Sequence, residues 1–252
     1  MQERKERLFP QGIKAESRQM IQRQTDSSIH LDSIRGIIFD VDGTLYEQKA
    51  VRLGMALLLF RFYLLHPWRI RELWGLALFR KIRENRHFLA VPMPEQIAAV
   101  SKKIGLPAER LQGTIQKWMF EKPLPLIAKH ARQPVLTFLH RMQTEGKRII
   151  IYSDYAPEEK LQVLGIVPDA VFFPGKAGIN ALKPSREGMQ SILRAVSLPA
   201  EQLLFLGDRE EKDGESARMV GIPFFLVSRK SSVQLLSALT PSIPSEESRI
   251  TR

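Results

Sequence analysis

Short apolar runs recur along the chain and are separated by amphipathic stretches. Such runs are typical of strands that are buried on both faces of a sheet. The predicted strands are Ile34–Asp40, Arg148–Ser153, Ala170–Phe173, Leu203–Leu206 and Pro223–Val227. The predicted helices between or after them are about Pro134–Glu145, Pro157–Leu164, Ser185–Val196 and Asp213–Val220. This alternation predicts an α/β fold with a parallel sheet and helices on both of its faces.

The stretch from about Tyr46 to Arg132 interrupts the alternation because it contains no strand-like run. Its pattern is helical, with prolines as punctuation. A segment of this length is too long for a simple connection between a strand and a helix. We therefore predict an inserted all-helical subdomain at 47–132, within an α/β core formed by 30–46 and 133–232.

The two ends of the chain differ from this core. Residues 1–29 mix basic and acidic side chains with no apolar run, so we expect a disordered basic tail rather than a secretory signal. Residues 233–252 are rich in Pro, Ser and Glu, and we expect a flexible tail there as well.

Charge and cysteine content limit the chemistry. The chain of 252 residues carries 38 lysines and arginines against 27 aspartates and glutamates, a formal net charge of +11. It contains no cysteine, which excludes disulfides, thiolate metal sites and a cysteine nucleophile. Together with the lack of a signal pattern, this favours a cytoplasmic location.

Polar side chains follow the predicted strands, and in an open α/β sheet ligands bind beyond the carboxyl ends of the strands. Clustered carboxylates repel one another unless a hard cation such as Mg²⁺ lies among them. A lysine and a serine beside such a cluster suit an anion with several oxygens, such as phosphate. The residues concerned are Asp40, Asp42, Ser153, Lys183, Asp208 and Asp213.

Each of these signals also has a simpler interpretation. An EF-hand loop starting at Asp40 would need Gly and Glu where the chain has Leu45 and Val51. Ser153 alone would be a turn residue, and Lys183 alone a solvated surface lysine. Asp213 alone would be the N-cap of a helix. The order and spacing of the whole set argue for a shared site.

The set resembles the haloacid dehalogenase-like (HAD) superfamily, in the branch of phosphatases that are similar to phosphoglycolate phosphatase. The nucleophile motif is Asp40-Val41-Asp42-Gly43-Thr44, and the hydroxyl motif is Ser153. The lysine motif is Lys183, and the acidic motif runs from Gly207-Asp208 to Asp213. The resemblance implies a Rossmann-like parallel sheet core and makes the helical insertion a type-1 cap.

The resemblance also implies a role for each residue. Asp40 would attack phosphorus to form an aspartyl-phosphate, and Asp42 would be the general acid and base. Ser153 and Lys183 would bind phosphoryl oxygens, and Lys183 would restrain Asp40. Mg²⁺ would be held by the carboxylates of Asp40, Asp208 and Asp213 and by the backbone carbonyl of Asp42.

Asp42 narrows the function within the superfamily, since dehalogenases of this fold lack the second aspartate and ion-pumping ATPases carry threonine there. We therefore predict a Mg²⁺-dependent phosphomonoester hydrolase acting on a small phosphorylated metabolite. A phosphosugar mutase is an alternative, because it uses the same intermediate. Another is a protein at the membrane surface that acts on or binds a lipid-linked phosphate.

The last alternative comes from the composition of the predicted cap. Ala50–Leu65 is apolar nearly all round, and the following segment interleaves basic residues with tryptophan and phenylalanine. One interpretation is that these faces, with Trp68, Trp74 and Trp118 as anchors, pack inside the cap. The other is contact with an anionic membrane surface. No nucleic-acid-binding signature is present, so no specific nucleic acid partner is expected.

Overall fold

The computed structural model describes residues 31–84, 93–176, 179, 181–229 and 231. Five parallel strands form one sheet in the order β3-β2-β1-β4-β5. They are β1 (Gly36–Phe39), β2 (Arg148–Tyr152), β3 (Ala170–Phe172), β4 (Leu203–Gly207) and β5 (Phe224–Leu226). The predicted α/β class is confirmed. Four of the strands fall within the predicted runs, and β4 extends one residue further, to Gly207.

Helices cover the sheet and form the insertion. Those between β1 and β2 are α1 (Gln48–Leu65), α2 (Ile70–Glu84), α3 (Met93–Ile104), α4 (Ala108–Ile115), α5 (Pro123–Lys129) and α6 (Gln133–Thr144). The later ones are α7 (Glu158–Val163), α8 (Arg186–Val196) and α9 (Glu215–Arg218). A π-helical turn, Gln116–Glu121, lies between α4 and α5. The helical content of the segment between β1 and β2 agrees with the expected all-helical subdomain.

Both faces of the sheet are buried, which explains why its strands are continuously apolar. Ile37 and Phe39 of β1 point into one core cluster, where Phe39 meets Phe138 of α6 edge to face with 6.5 Å between ring centroids. Ile38 points to the opposite face and joins Met189 of α8 in a second cluster. Successive strand residues therefore enter different cores, and each must be apolar.

The insertion has a core of its own and a narrow attachment. Phe79, Leu111 and Trp118 belong to a third buried cluster within it. Where the chain leaves and re-enters the α/β core, Tyr46 and Ala131 form an isolated antiparallel bridge. Backbone hydrogen bonds flank this bridge on both sides. The two chain segments that connect the insertion to the α/β core are thus held next to each other.

Two sequence-based expectations need correction. Asp213–Val220 is not one helix, because Glu210–Gly214 is a π-helical turn and α9 begins only at Glu215. Trp68 and Trp74 are not packing anchors, since they are 72% and 69% exposed. Trp118 is buried as expected. The predicted tails, 1–29 and 233–252, lie outside the described residues.

Helix α1 is a largely apolar helix of 18 residues. Among the described residues, no single helix is both long and apolar enough to cross a membrane, but α1 and the segment Pro67–Arg83 meet that test together as a pair bent by 114°.

The core predicts a large effect of truncation at Leu139 in α6. Its side chain is fully buried in the first cluster, so Leu139→Ala should lower the free energy of unfolding by about 2 to 5 kcal/mol. Leu57→Ala is the matched control, because Leu57 is exposed on a helix and should change stability by no more than about 0.5 kcal/mol. Urea denaturation measures both, and equal midpoints for the two variants would contradict the assigned core.

Candidate active site

The parallel register brings three of the predicted residues to one edge of the sheet. Phe39 pairs with Ile151 of β2 on one side and Leu206 of β4 on the other. Asp40, Ser153 and Asp208, which follow these strands, therefore lie at the same carboxyl edge. The backbone N–H of Asp40 still donates to Leu206 O at 2.9 Å, which fixes the start of the loop.

Lys183 connects two carboxylates inside this edge. Its Nζ donates to Asp40 Oδ1 at 2.5 Å and to Asp213 Oδ1 at 2.6 Å. A third contact, at 3.2 Å, goes to the carbonyl oxygen of Tyr152. An ammonium group has three N–H donors, so all of them are engaged. In this arrangement Lys183 restrains Asp40, and reaching a substrate oxygen would require it to give up one of these contacts.

The other oxygen of Asp40 is also held. Thr44 Oγ1 donates to Asp40 Oδ2 at 2.9 Å, so each carboxylate oxygen has one partner. The side chain of Asp40 is only 2% exposed. Its orientation is therefore defined before any ligand arrives.

Negative charge exceeds positive charge around Asp40. Burial raises the pKa of Asp40 to about 7, and although Lys183 opposes the rise, Asp213 adds to it. Burial alone would lower the pKa of Lys183, but Asp40 and Asp213 raise it well above its usual value. Lys183 therefore stays protonated, while one ammonium is shared by two carboxylates.

Asp208 completes an acidic group that fits a divalent cation. Oxygens of Asp40, Asp208 and Asp213 lie within 4.8 Å of one another. Asp208 Oδ1 is buried and has no hydrogen bond from the residues that the structure describes, and burial raises the pKa of this carboxyl. An oxygen-only donor set with a shortage of positive charge suits Mg²⁺.

Two glycines leave space for the carboxylates of the acidic group. Gly43 has a φ of +103°, and a side chain at this position would overlap the carboxylate of Asp208. A side chain at Gly207 would likewise overlap Asp213. The motif glycines are therefore required by the close approach of the chain to the acidic group.

Asp42 faces a different set of partners. Its Oδ1 accepts a hydrogen bond from Lys160 of α7 at 2.5 Å and another from the hydroxyl of Tyr46. Burial by itself would raise the pKa of Asp42, but the charge and hydrogen bond of Lys160 and the hydrogen bond of Tyr46 lower it below its usual value. The carboxylate of Asp42 is not part of the acidic group around Lys183. Metal binding through its backbone carbonyl stays a prediction.

Ser153 lies beside the acidic group and begins a tight turn. Its hydroxyl is buried and accepts from the backbone N–H of Tyr155 at 3.3 Å. Tyr155 in turn lies under the guanidinium of Arg83, 5.1 Å from the ring centroid. The far end of α2 thus reaches the loop that carries Ser153.

Sequence reasoning missed several partners of these residues. Asp154 accepts from the backbone N–H of Lys183 at 2.8 Å and from Lys212 Nζ at 3.1 Å. Asp154 directly follows Ser153, and that adjacency was an available signal. The approach of Lys160 to Asp42, 118 positions earlier in the chain, has no such signal.

Comparisons with known proteins agree with this architecture. A family model described as haloacid dehalogenase-like hydrolase matches residues 34–221. The 2-haloacid dehalogenase from Pseudomonas syringae pv. Tomato DC3000 superposes with a TM-score of 0.55 at 15% identity, covering 82% of this chain and 100% of its own. The HAD-hydrolase YfnB from Bacillus subtilis, bound to magnesium, gives 0.51 at 15% identity over 77% and 86%. No curated protein sequence matches the chain.

Removal of Lys183 should have a pH-dependent cost in stability. Lys183→Met leaves Asp40 and Asp213 buried without their cation, so we expect a loss of about 3 to 5 kcal/mol at pH 8. The loss should be smaller at pH 5. Burial already raises the pKa of Asp40, and without Lys183 nothing on that side opposes the rise, so its folded-state pKa exceeds its unfolded value near 4 and stability falls as pH rises between the two.

Urea unfolding at pH 5 and pH 8, with a chelator present, measures this effect. Lys176→Met is the control, because Lys176 is half exposed and lies 3.8 Å from the exposed Glu158. We expect little change for it at either pH. A loss for Lys183→Met that is the same at both pH values would contradict the shared-ammonium arrangement.

Proposed function

The chain belongs to the haloacid dehalogenase-like hydrolase family, and we propose that it is a Mg²⁺-dependent phosphatase that hydrolyses a small phosphorylated metabolite. The observation that carries this proposal is the placement of Asp40. It is fixed by Lys183 and Thr44 and lies in one acidic group with Asp208 and Asp213. A nucleophile in such a group suits a substrate that brings several anionic oxygens to a bound cation.

In the first step, a carboxylate oxygen of Asp40 attacks the phosphorus of the ester. The bond between phosphorus and the ester oxygen breaks, and the phosphoryl group is transferred to Asp40 as an aspartyl-phosphate. The carboxyl group of Asp42 donates its proton to the leaving oxygen, which departs as an alcohol. The contacts from Lys183 and Thr44 hold Asp40 in one orientation, which reduces the entropic part of the barrier.

In the second step, water attacks the phosphorus of the aspartyl-phosphate. The carboxylate of Asp42 takes a proton from this water, the bond to Asp40 breaks, and inorganic phosphate leaves. Asp40 is regenerated as a carboxylate and Asp42 as a carboxylic acid.

Cation binding falls to Asp40, Asp208 and Asp213, with the backbone carbonyl of Asp42 as a further ligand. A bound Mg²⁺ supplies charge neutralisation for the phosphoryl oxygens. Ser153 and the backbone N–H groups after Asp40 donate hydrogen bonds to those oxygens. Arg209 adds a cation, since its Nε is buried, has no hydrogen bond and lies 3.5 Å from Asp208 Oδ1.

Asp42 also favours phosphoryl transfer over dehalogenation. Two groups, Lys160 and Tyr46, hold its carboxylate. These contacts give the carboxylate a defined position for proton transfer, and Lys160 favours its ionised form, which acts as the base in the second step. Release of a halide ion needs no proton on the leaving group, so a held general acid would have no use there.

Substitution of the nucleophile tests the reaction. Asp40→Asn keeps the size of the side chain but removes the attacking oxygen anion, so we expect phosphate release to fall by at least about a thousandfold. The assay uses phosphoglycolate, sugar phosphates, nucleotides and a lipid phosphate, each with and without Mg²⁺. The matched control is Asp32→Asn, an exposed aspartate outside the site, which should retain full activity.

Mg²⁺-dependent release that survives in Asp40→Asn would contradict the proposed nucleophile. Release that needs a bisphosphate activator and yields an isomerised sugar phosphate would replace the hydrolase with a mutase. Thermal melting of both variants checks that the fold is kept.

Lys160 should tune the pH dependence through Asp42. Removal of this cation in Lys160→Met should raise the pKa of Asp42, because the charge and hydrogen bond of Lys160 lower it in the unchanged protein. The protonated form that serves as general acid then persists to higher pH, so the alkaline decline of kcat/KM should move upward. Lys160→Arg keeps the charge and should leave the decline near its original position. An unchanged profile in Lys160→Met would assign the proton transfer to another group.

A further inference from the structure

Helices α1 and α2 present an apolar surface to solvent at the bend between them. We call Leu53, Leu57, Phe60, Leu64, Trp68 and Trp74 the elbow surface. All six are exposed, from 61% at Leu57 to 72% at Trp68. Large apolar side chains in this number are unusual on a surface with no partner.

The elbow surface follows the helical repeat. Leu53, Leu57, Phe60 and Leu64 are spaced at i, i+4, i+7 and i+11, which places them on one side of α1. Val51 and Tyr63 of the same helix are buried against the rest of the protein. The helix is therefore apolar on two sides, and only one of them is used inside the molecule.

In α2 the buried side includes a carboxylate. Glu72 is fully buried and accepts from Arg69 and Arg110, each at 2.8 Å. Leu76 and Phe79 pack in the buried cluster of the cap, so the face of α2 that carries them and Glu72 points inward. Trp74 is left on the outside, near the bend that Pro67–Arg69 makes between the helices.

The charges around the elbow surface have one sign. Every exposed ionisable side chain between Gln48 and Arg83 is cationic, whereas the acid in this range, Glu72, is buried. The cations are Lys49, Arg52, Arg61, Arg71, Arg80 and Lys81. A second copy of the chain, related by a twofold axis, would bring these cations against one another. An anionic surface would neutralise them.

We propose that the elbow surface docks on an anionic lipid bilayer. The apolar side chains enter the boundary between headgroups and acyl chains, and the surrounding arginines and lysines contact anionic headgroups. Arg52 and Arg61 are spaced along α1, which fits a helix that lies in the plane of the interface, because a cation in the hydrocarbon is costly. Exposed tryptophans are the side chains that favour this boundary.

This inference does not depend on the proposed phosphatase activity. The elbow surface shares no residue with the acidic group around Lys183, so Asp40→Asn should bind vesicles as the unchanged protein does. Failure of the catalytic proposal and failure of the docking proposal are therefore separate results.

Vesicle flotation of the full chain tests the docking. We expect binding to vesicles that contain phosphatidylglycerol, little binding to phosphatidylcholine alone, and release at high salt. Phe60→Ser combined with Trp68→Ser should weaken binding by about tenfold or more, since both side chains would leave the apolar layer. Arg61→Gln combined with Arg71→Gln should also weaken it. Val167→Ser is the control. Val167 is apolar and 76% exposed, but it lies on the surface of the α/β part of the protein, outside the helical insertion.

Three results would overturn the proposal. One is unchanged binding of the Phe60/Trp68 variant, which would move the contact to another part of the chain. Another is no binding to anionic vesicles by the unchanged protein. The third is a dimer at assay concentration that the same two substitutions dissociate, because a second copy would then cover the surface. Circular dichroism and thermal melting establish that the variants are folded.

Discussion

One buried ammonium group, that of Lys183, joins parts of the site that are far apart in the sequence. Asp40 follows β1, Asp213 lies in the turn after β4, and Lys183 lies in the segment before α8. Ion pairs at this depth gain little net stability, because the cost of removing charges from water offsets their attraction. What they do determine is position, since each partner left alone would be a buried, uncompensated charge. Asp154 also holds the backbone of Lys183 in place, because its carboxylate accepts a hydrogen bond from the Lys183 N–H.

The rest of the site follows from the charge balance around that group. Lys183 and Arg209 compensate only part of the charge of Asp40, Asp208 and Asp213, and an oxygen of Asp208 is buried without a hydrogen bond from any described residue. The remaining negative charge suits a hard cation. The carboxylate of Asp42 lies outside this acidic group and pairs with a different cation, Lys160. Two carboxylates that are two residues apart therefore have opposite pKa shifts: burial favours the protonated form of Asp40, whereas Lys160 favours the ionised form of Asp42.

The insertion uses a buried carboxylate for a different purpose. Burial would raise the pKa of Glu72, but hydrogen bonds from Arg69 and Arg110 lower it and keep the group ionised. This contact ties α2 to α4 and determines which face of α2 is inside. The orientation of α2 then has two results: Arg83 reaches Tyr155 at the carboxyl edge of the sheet, and Trp74 faces solvent. The same helix connects the candidate active site with the elbow surface.

The sequence by itself determined the strands and the edge at which the motif residues meet. Continuous apolar runs identify strands buried on both faces, and parallel strands bring their carboxyl ends together, so the neighbourhood of Asp40, Ser153 and Asp208 was predictable. Only the tertiary structure decided the partners. Lys160 meets Asp42, and Arg110 meets Glu72, through contacts between elements far apart in the sequence, which no local period encodes. The same limit explains Trp68 and Trp74: a helical pattern shows that a face is apolar, but which face is buried depends on what packs against it.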